Sequence, residues 1–156
     1  MELEKKIELQ KKIEDLMQKE GNGVCYIGPI SEVDIQGIEA ALGVMLPEDY
    51  KWFLRTYGYG GCLGIEIEGG ALNGVTPGVV QETKFRREVG LPHHLVAIEN
   101  CDEYICCLDT SKMKDGFCPV VGCEFDGDDP LPEGDSFLEF FYQKLLDYDE
   151  NWSPDT

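Results

Sequence analysis

The spacing of apolar residues switches between helical and strand-like along this chain, so the fold must contain both kinds of element. Helical spacing, with an apolar residue every three or four positions, predicts five helices, over residues 2–19, 31–43, 47–58, 79–90 and 136–149. Local capping signals support these bounds. Ser31 and Asp34 fit an N-cap, Gly58 fits the end of the third helix, and Ser136 with Glu139 forms a capping box before the last one.

Strand spacing, or a short β-branched apolar run, predicts four strands, over residues 63–68, 95–100, 103–109 and 118–125. In the first of these, Leu63, Ile65 and Ile67 alternate with residues that include Glu66 and Glu68. Because successive side chains of a strand point to opposite faces, this pattern predicts a strand with one acidic, solvated face.

Two segments of the second half are predicted to reverse the chain. Asp115-Gly116 is a strong turn signal before a β-branched run, so residues 107–121 are predicted to form a β-hairpin with a long loop. Residues 126–135 are rich in Asp, Gly and Pro, and we predict that they form an exposed loop.

The chain of 156 residues is expected to form one domain, because no internal repeat or long linker divides it. We divide it into an N-terminal helix over residues 1–20, a domain body over residues 21–149 and a frayed acidic tail over residues 150–156. The first twenty residues alternate in charge, and no run of eighteen apolar residues occurs. We therefore expect a cytoplasmic protein without a signal peptide or a membrane span.

Charge is the strongest global signal, because 31 acidic and 13 basic residues give a formal net charge of −18. A surface of this sign repels nucleic-acid phosphates and anionic lipid heads, so direct binding to nucleic acid or membranes is disfavoured. Two interpretations stay open. The acids can serve solubility alone, or they can attract a basic partner by electrostatic steering.

The seven cysteines lack the spacing of a metal site or a disulfide scaffold, because their number is odd and no C-x-x-C pair occurs. We expect reduced thiols, no metal and no cofactor. Cys106 and Cys107 should lie on opposite faces of a strand. The only histidines, His93 and His94, are adjacent in a predicted loop and give little support for a Cys/His catalytic pair. No catalytic residue stands out, so we do not expect an enzyme.

Four motifs in order resemble the SUKH superfamily, the immunity proteins related to fungal cell-wall-synthesis regulators. They are LPEDYKWFLRTYGYGG, VVQETKFRREVGLPHHLVAI, CCLDTSKMKDGFCPVV and DSFLEFFYQKL, and the resemblance covers residues 29–146. The motifs YKWFL, CLDT, KMKDG and CPVV look most similar to the YobK-type bacterial immunity proteins.

This resemblance implies a single α+β domain, with a central mixed, mostly antiparallel sheet flanked by helices. It also implies a protein without catalytic activity that binds and neutralises a cognate secreted toxin, frequently a nuclease with a basic surface. The alternative is a regulatory module that binds an endogenous protein, as the fungal members are thought to do. A small thiol- or metal-dependent enzyme fits the residue spacings least.

A basic toxin would be bound by exposed carboxylates, since opposite charges steer association and set its specificity. We predict that these carboxylates belong to the acidic strand face, to the start of the strand near residue 103 and to the acidic loop. The candidate partner-binding residues are Glu66, Glu68, Asp102, Glu103, Asp126, Asp128 and Asp129.

Overall fold

A computed structural model of the protein describes residues 1–19, 21–71 and 75–151. Five α-helices occur in the described residues: α1 (Leu3–Gln18), α2 (Glu32–Leu42), α3 (Glu48–Thr56), α4 (Gly78–Glu88) and α5 (Phe137–Asn151). Each begins and ends within two residues of its predicted bounds. Glu20 and residues 152–156, which belong to the predicted N-terminal segment and tail, lie outside the described residues. No described helix is both long and apolar enough to cross a membrane.

The helix ends form as the capping residues predict. The Ser31 hydroxyl accepts a hydrogen bond from the backbone N–H of Asp34 at 3.2 Å, and the Ser136 hydroxyl accepts one from the N–H of Glu139 at 3.2 Å. Gly43 follows α2 with a φ of 68°, a left-handed conformation that favours glycine.

The strands form two antiparallel sheets, which confirms the α+β fold. The strands are β1 (Cys25–Tyr26), β2 (Gly60–Gly61), β3 (Leu95–Asn100), β4 (Ile105–Asp109), β5 (Val120–Cys123) and β6 (Leu131–Gly134). β1 pairs with β2, and the other four form one sheet in the order β3-β4-β5-β6. The predicted hairpin joins β4 to β5 through a 3-10 helix at Thr110–Lys112 and a turn at Asp115-Gly116.

The prediction of a regular strand over residues 63–68 is wrong. Leu63 and Gly64 have positive φ angles of 59° and 83°, so the chain turns there instead of extending. Only Ile67 forms a β-bridge, with Gly60. The predicted alternation of side chains holds only in part: Ile65 and Ile67 are buried and Glu66 is exposed, but Glu68, predicted on the solvated face, is half-buried.

The prediction that residues 126–135 form only a loop is also wrong, because β6 occupies Leu131–Gly134 and pairs with β5. Pro132 has no N–H to donate to a sheet, which made a strand look unfavourable in the sequence. β6 lies at the edge of the sheet, however, where a strand needs hydrogen bonds on one side only.

The two faces of the four-stranded sheet are covered differently. One face packs against the helices in the main core, which contains an aromatic cluster of Tyr50, Phe53, Phe137 and Phe141. The other face is covered by a smaller cluster that includes Leu91, with Phe125 packed against it. The strand alternation places Cys106 in the main core and Cys107 in the smaller cluster, which confirms that they lie on opposite faces.

The outer edge of β3 is closed by two hydrogen bonds from outside the sheet. The N–H of Ala97 donates to the hydroxyl oxygen of Thr83 in α4 at 3.0 Å. The carbonyl oxygen of Ile98 accepts from the N–H of Glu68 at 2.7 Å. These bonds fix α4 and residue 68 against the sheet, and they place the side chain of Glu68 near the end of β3.

The carboxyl group of Asp49 is buried in the core, where it links the start of α3 to the start of α5. Its two oxygens accept hydrogen bonds from the N–H of Tyr50 at 2.9 Å and of Leu138 at 3.2 Å. Burial raises the pKa of Asp49 to about 6, because desolvation of the carboxylate outweighs the backbone hydrogen bonds that favour it.

Candidate functional site

An open cleft lies between α5, the turn that joins β3 to β4 and the segment of residues 64–68. Its volume is about 600 Å³. Six of the residues that line it are acidic: Glu66, Glu68, Glu99, Asp102, Glu133 and Asp147. Among the described lining residues, Lys144 alone is basic. The lining therefore carries a formal charge of −5 at neutral pH.

Glu99 points into the cleft because β3 contains a β-bulge between Ala97 and Glu99. Regular alternation from Ala97, which faces the smaller cluster, would return Glu99 to that same face. The bulge places Glu99 opposite Cys106 instead, and Cys106 faces the main core. A β-bulge thus redirects a carboxylate from the small cluster to the face that α5 covers.

Lys144 of α5 meets Glu99 at the base of the cleft. Its ammonium forms a short ion pair with the Glu99 carboxylate and lies 3.6 Å from the sulfur of Cys101. Burial lowers the pKa of Lys144, but the hydrogen bond and the charge of Glu99 together raise it by more. The pKa therefore lies above its usual value. Lys144 therefore stays protonated, and its positive charge is paired with the Glu99 carboxylate.

The main chain around residue 68 aims Glu66 and Glu68 into the cleft. The carbonyl oxygen of Glu68 accepts a hydrogen bond from the buried Tyr50 hydroxyl, and its N–H is bonded to β3. Burial raises the pKa of Glu68, and the negative charges of Glu82 and Glu66 raise it further. The rise shows that negative charge is electrostatically unfavourable at this position, so a cation from outside would stabilise it.

Most of the chain, including both sheets, matches a known protein family. Residues 9–146 match the family SUKH_5, described as SMI1-KNR4 cell-wall. The chain belongs to this SUKH family. The matched region runs from within α1 to within α5, so it contains both sheets and all the residues that line the acidic cleft except Asp147 and Tyr148. Membership of the SUKH family is consistent with an immunity-type protein that acts by binding another protein.

The SUKH domain brings together three of the predicted partner-binding residues, because Glu66, Glu68 and Asp102 all line the cleft. Glu103 follows Asp102 in the same exposed turn but does not line the cleft.

Asp126, Asp128 and Asp129 lie elsewhere, in the loop between β5 and β6. This loop packs over the smaller cluster, where the neighbouring Phe125 is held and where Gly127 approaches Pro92. The loop therefore forms a second acidic surface on the other side of the sheet.

Three carboxylates of the cleft were not predicted. Glu99 lies in the predicted strand over residues 95–100, Glu133 in the predicted loop over residues 126–135, and Asp147 in the last predicted helix. Single-sequence patterns carried no signal for Glu99, because its direction depends on the bulge. For Asp147 and Lys144 a weak signal existed, since both lie on α5 within one turn and so share a face.

Two groups of described residues bring three possible metal ligands within 4.8 Å of one another: Glu99, Cys101 and Cys106, and Glu124, Asp128 and Asp129. In the first group, the ammonium of Lys144 already binds Glu99 and contacts Cys101, so a cation is present without a metal. The second group is fully exposed and brings together one oxygen from each of three carboxylates, whereas calcium takes six to eight oxygens. We assign a metal to neither group.

Proposed function

We propose that this SUKH protein is an immunity protein that binds and neutralises a secreted toxin, and that the acidic cleft receives a basic surface of that toxin. The observation that carries the proposal is the set of six carboxylates around one cleft, in which Lys144 is already paired with Glu99. Like the YobK-type proteins that its motifs resemble, the protein would act without catalysis, in the bacterial cytoplasm.

The chemistry of the lining favours a protein partner over a small molecule. Small-molecule sites are mostly apolar, with a few polar groups that set orientation. Seven of the fifteen residues that line this cleft are charged, and six of these are acids that suit a partner rich in Lys and Arg. A nuclease toxin needs a surface of that kind to hold phosphates, so carboxylates placed there would compete with its substrate.

The first test of the proposal is growth rescue. The chain is expressed together with the product of the gene next to its own, which on this proposal is the toxin, and we expect it to restore growth. If growth is not restored and the chain instead binds a protein of its own cell through the cleft, it is a regulatory module and the immunity function is refuted.

The second test locates the binding surface by comparing two triple variants with the same change in charge. Glu66→Gln, Asp102→Asn and Glu133→Gln neutralise exposed acids of the cleft. Asp126→Asn, Asp128→Asn and Asp129→Asn neutralise exposed acids of the loop between β5 and β6. All six positions are exposed, so neither triple variant should disturb the core.

Both triple variants should associate with the toxin domain more slowly, because long-range steering depends on the total charge. Raising the salt concentration from roughly 0.05 to 0.5 M should slow the wild type about tenfold or more, as the Debye length shortens. Only the cleft variant should also dissociate faster, because direct contacts set the dissociation rate. Stopped-flow mixing measures both rates. Faster dissociation of the loop variant alone would place the interface on the other side of the sheet.

A further inference from the structure

Two pairs of cysteines have almost the same separation in very different surroundings. The sulfur atoms of Cys101 and Cys106 are 4.0 Å apart, and those of Cys107 and Cys123 are 3.9 Å apart. Both pairs lie within hydrogen-bond distance for sulfur, and neither is a disulfide. Differences in their reactivity must therefore come from access and from neighbouring charges, because the separation is shared.

The first pair is reachable from solvent. Cys101 is partly exposed and lines the acidic cleft, whereas Cys106 lies directly beneath it in the core. The second pair is buried on the opposite face of the sheet, in the cluster that Phe125 covers. A small reagent that enters the cleft therefore meets Cys101 first.

The surroundings of Cys101 favour its thiolate form. The hydrogen bond from the Cys106 thiol lowers the pKa of Cys101, burial and the charge of Glu99 raise it, and the ammonium of Lys144 lowers it again. The net effect is a pKa below the usual value for cysteine. The pKa of Cys106 is raised by that hydrogen bond and by burial, so Cys106 stays a protonated thiol.

We propose that Cys101 is a modification site for hydroperoxides, and that Cys106 resolves the oxidised Cys101 by forming a disulfide with it. The geometry that carries this proposal is a cleft-lining sulfur with a second thiol at 4.0 Å and the two members of an ion pair beside it, the Lys144 ammonium at 3.6 Å and a Glu99 carboxylate oxygen at 3.4 Å. The proposal does not rest on the immunity function, because it concerns the reactivity of the isolated chain.

The reaction takes place in two steps. The Cys101 thiolate attacks the outer oxygen of the hydroperoxide, the O–O bond breaks, and the released oxyanion takes a proton and leaves as an alcohol or water. Cys101 is thereby oxidised by two electrons to a sulfenic acid. The sulfur of Cys106 then attacks the sulfur of Cys101, an S–S bond replaces the S–O bond, and the hydroxide leaves as water with the proton of the Cys106 thiol.

Charge determines which oxidants can reach the thiol. Five more carboxylates line the cleft besides Glu99, so anionic oxidants such as glutathione disulfide are repelled. Hydrogen peroxide is small and neutral, so the cleft does not exclude it. The sulfur atoms must approach each other by about 2 Å to form the disulfide, whose S–S length is about 2.05 Å. The exposed turn at residues 102–103 can adjust for this movement, since it is held mainly by local backbone hydrogen bonds.

The test treats the reduced full chain with a small molar excess of hydrogen peroxide and maps its thiols by mass spectrometry. Two built-in controls separate the contributing factors. Cys25 is exposed and tests access alone, whereas Cys107 and Cys123 are paired but buried and test pairing alone. Cys101 should be oxidised severalfold faster than Cys25, because its larger thiolate fraction outweighs the accompanying loss of intrinsic nucleophilicity.

In the wild type, a non-reduced digest should contain a peptide pair linked through Cys101 and Cys106. In the Cys106→Ser variant, the sulfenic acid should persist and be trapped by dimedone at Cys101. Oxidation of Cys25 ahead of Cys101 would overturn the proposed activation. A dimedone adduct at Cys101 in the wild type, without the linked peptide pair, would overturn the role of Cys106. Oxidation of the Cys107 and Cys123 pair at the same rate would show that separation alone decides reactivity, and it would overturn the proposal.

Discussion

Replacing Asp49 by asparagine should flatten the dependence of stability on pH. The Asp49 side chain is buried, and burial raises its pKa from 3.8 to about 6. At about pH 3 and below, the carboxyl group is protonated in the folded chain and largely protonated in the unfolded one. Between the two pKa values only the folded chain keeps the proton, so the stabilisation of the wild type is lost as the pH rises to about 6.

The size of this loss follows from the shift of roughly two pKa units. Each unit corresponds to about 1.4 kcal/mol, so ionisation of Asp49 costs the folded state about 3 kcal/mol above pH 6. Asparagine keeps an oxygen that can accept one of the two backbone hydrogen bonds, and it cannot ionise. The stability of Asp49→Asn relative to wild type should therefore rise by about 3 kcal/mol from about pH 3 to pH 7.

The assay is urea unfolding, followed by circular dichroism, for both proteins at several pH values. Asp129→Asn serves as the control, because it removes one carboxylate from an exposed loop. A constant offset between wild type and Asp49→Asn reports the altered hydrogen bonding and does not affect the argument. Parallel stability curves for the two proteins across this pH range would refute the reasoning.

Three further predictions test the core, the backbone and the thiols. Phe53→Asp should unfold the protein, because a buried unpaired carboxylate costs several kcal/mol. Trp52→Asp should cost less, because the Trp52 ring is partly exposed, and urea unfolding of both variants measures the difference. Gly69→Ala should destabilise the fold strongly in the same assay, because the new Cβ would lie 1.9 Å from the carbonyl oxygen of Gly58. Gly37→Ala has open space within α2 and should stabilise the protein by about 0.5–1 kcal/mol. Thiol titration of the denatured chain without oxygen should find seven free thiols, and two stoichiometric disulfides would contradict this expectation.

The helices were predictable from the sequence because their signals are local. Ser31 and Ser136 cap backbone N–H groups three positions later, and Gly43 ends α2 within one residue of its last turn. Such interactions involve residues close in sequence and do not depend on the tertiary contacts of the helix. They can therefore be recognised without knowing the tertiary structure.

β6 and the base of the cleft were not predictable, because both depend on partners that are distant in sequence. Pro132 is acceptable in a strand only because β6 has a neighbour on one side, and the order of strands is a property of the whole sheet. Glu99 turns toward the cleft through a bulge in its pairing with β4, and its partner Lys144 lies 45 positions along the chain. No periodicity within a short window reports such relations.

The closed edge of β3 limits how this domain can recognise another protein. Many binding domains add an extended segment of the partner to an open sheet edge, where main-chain hydrogen bonds supply affinity for almost any sequence. At β3 the N–H of Ala97 and the carbonyl of Ile98 are already bonded, and at β6 Pro132 has no N–H to offer. Recognition at these two edges must therefore rest on side chains, which can change singly while the backbone stays fixed. A domain built in this way can acquire a new partner through a few surface substitutions, without rebuilding its sheet.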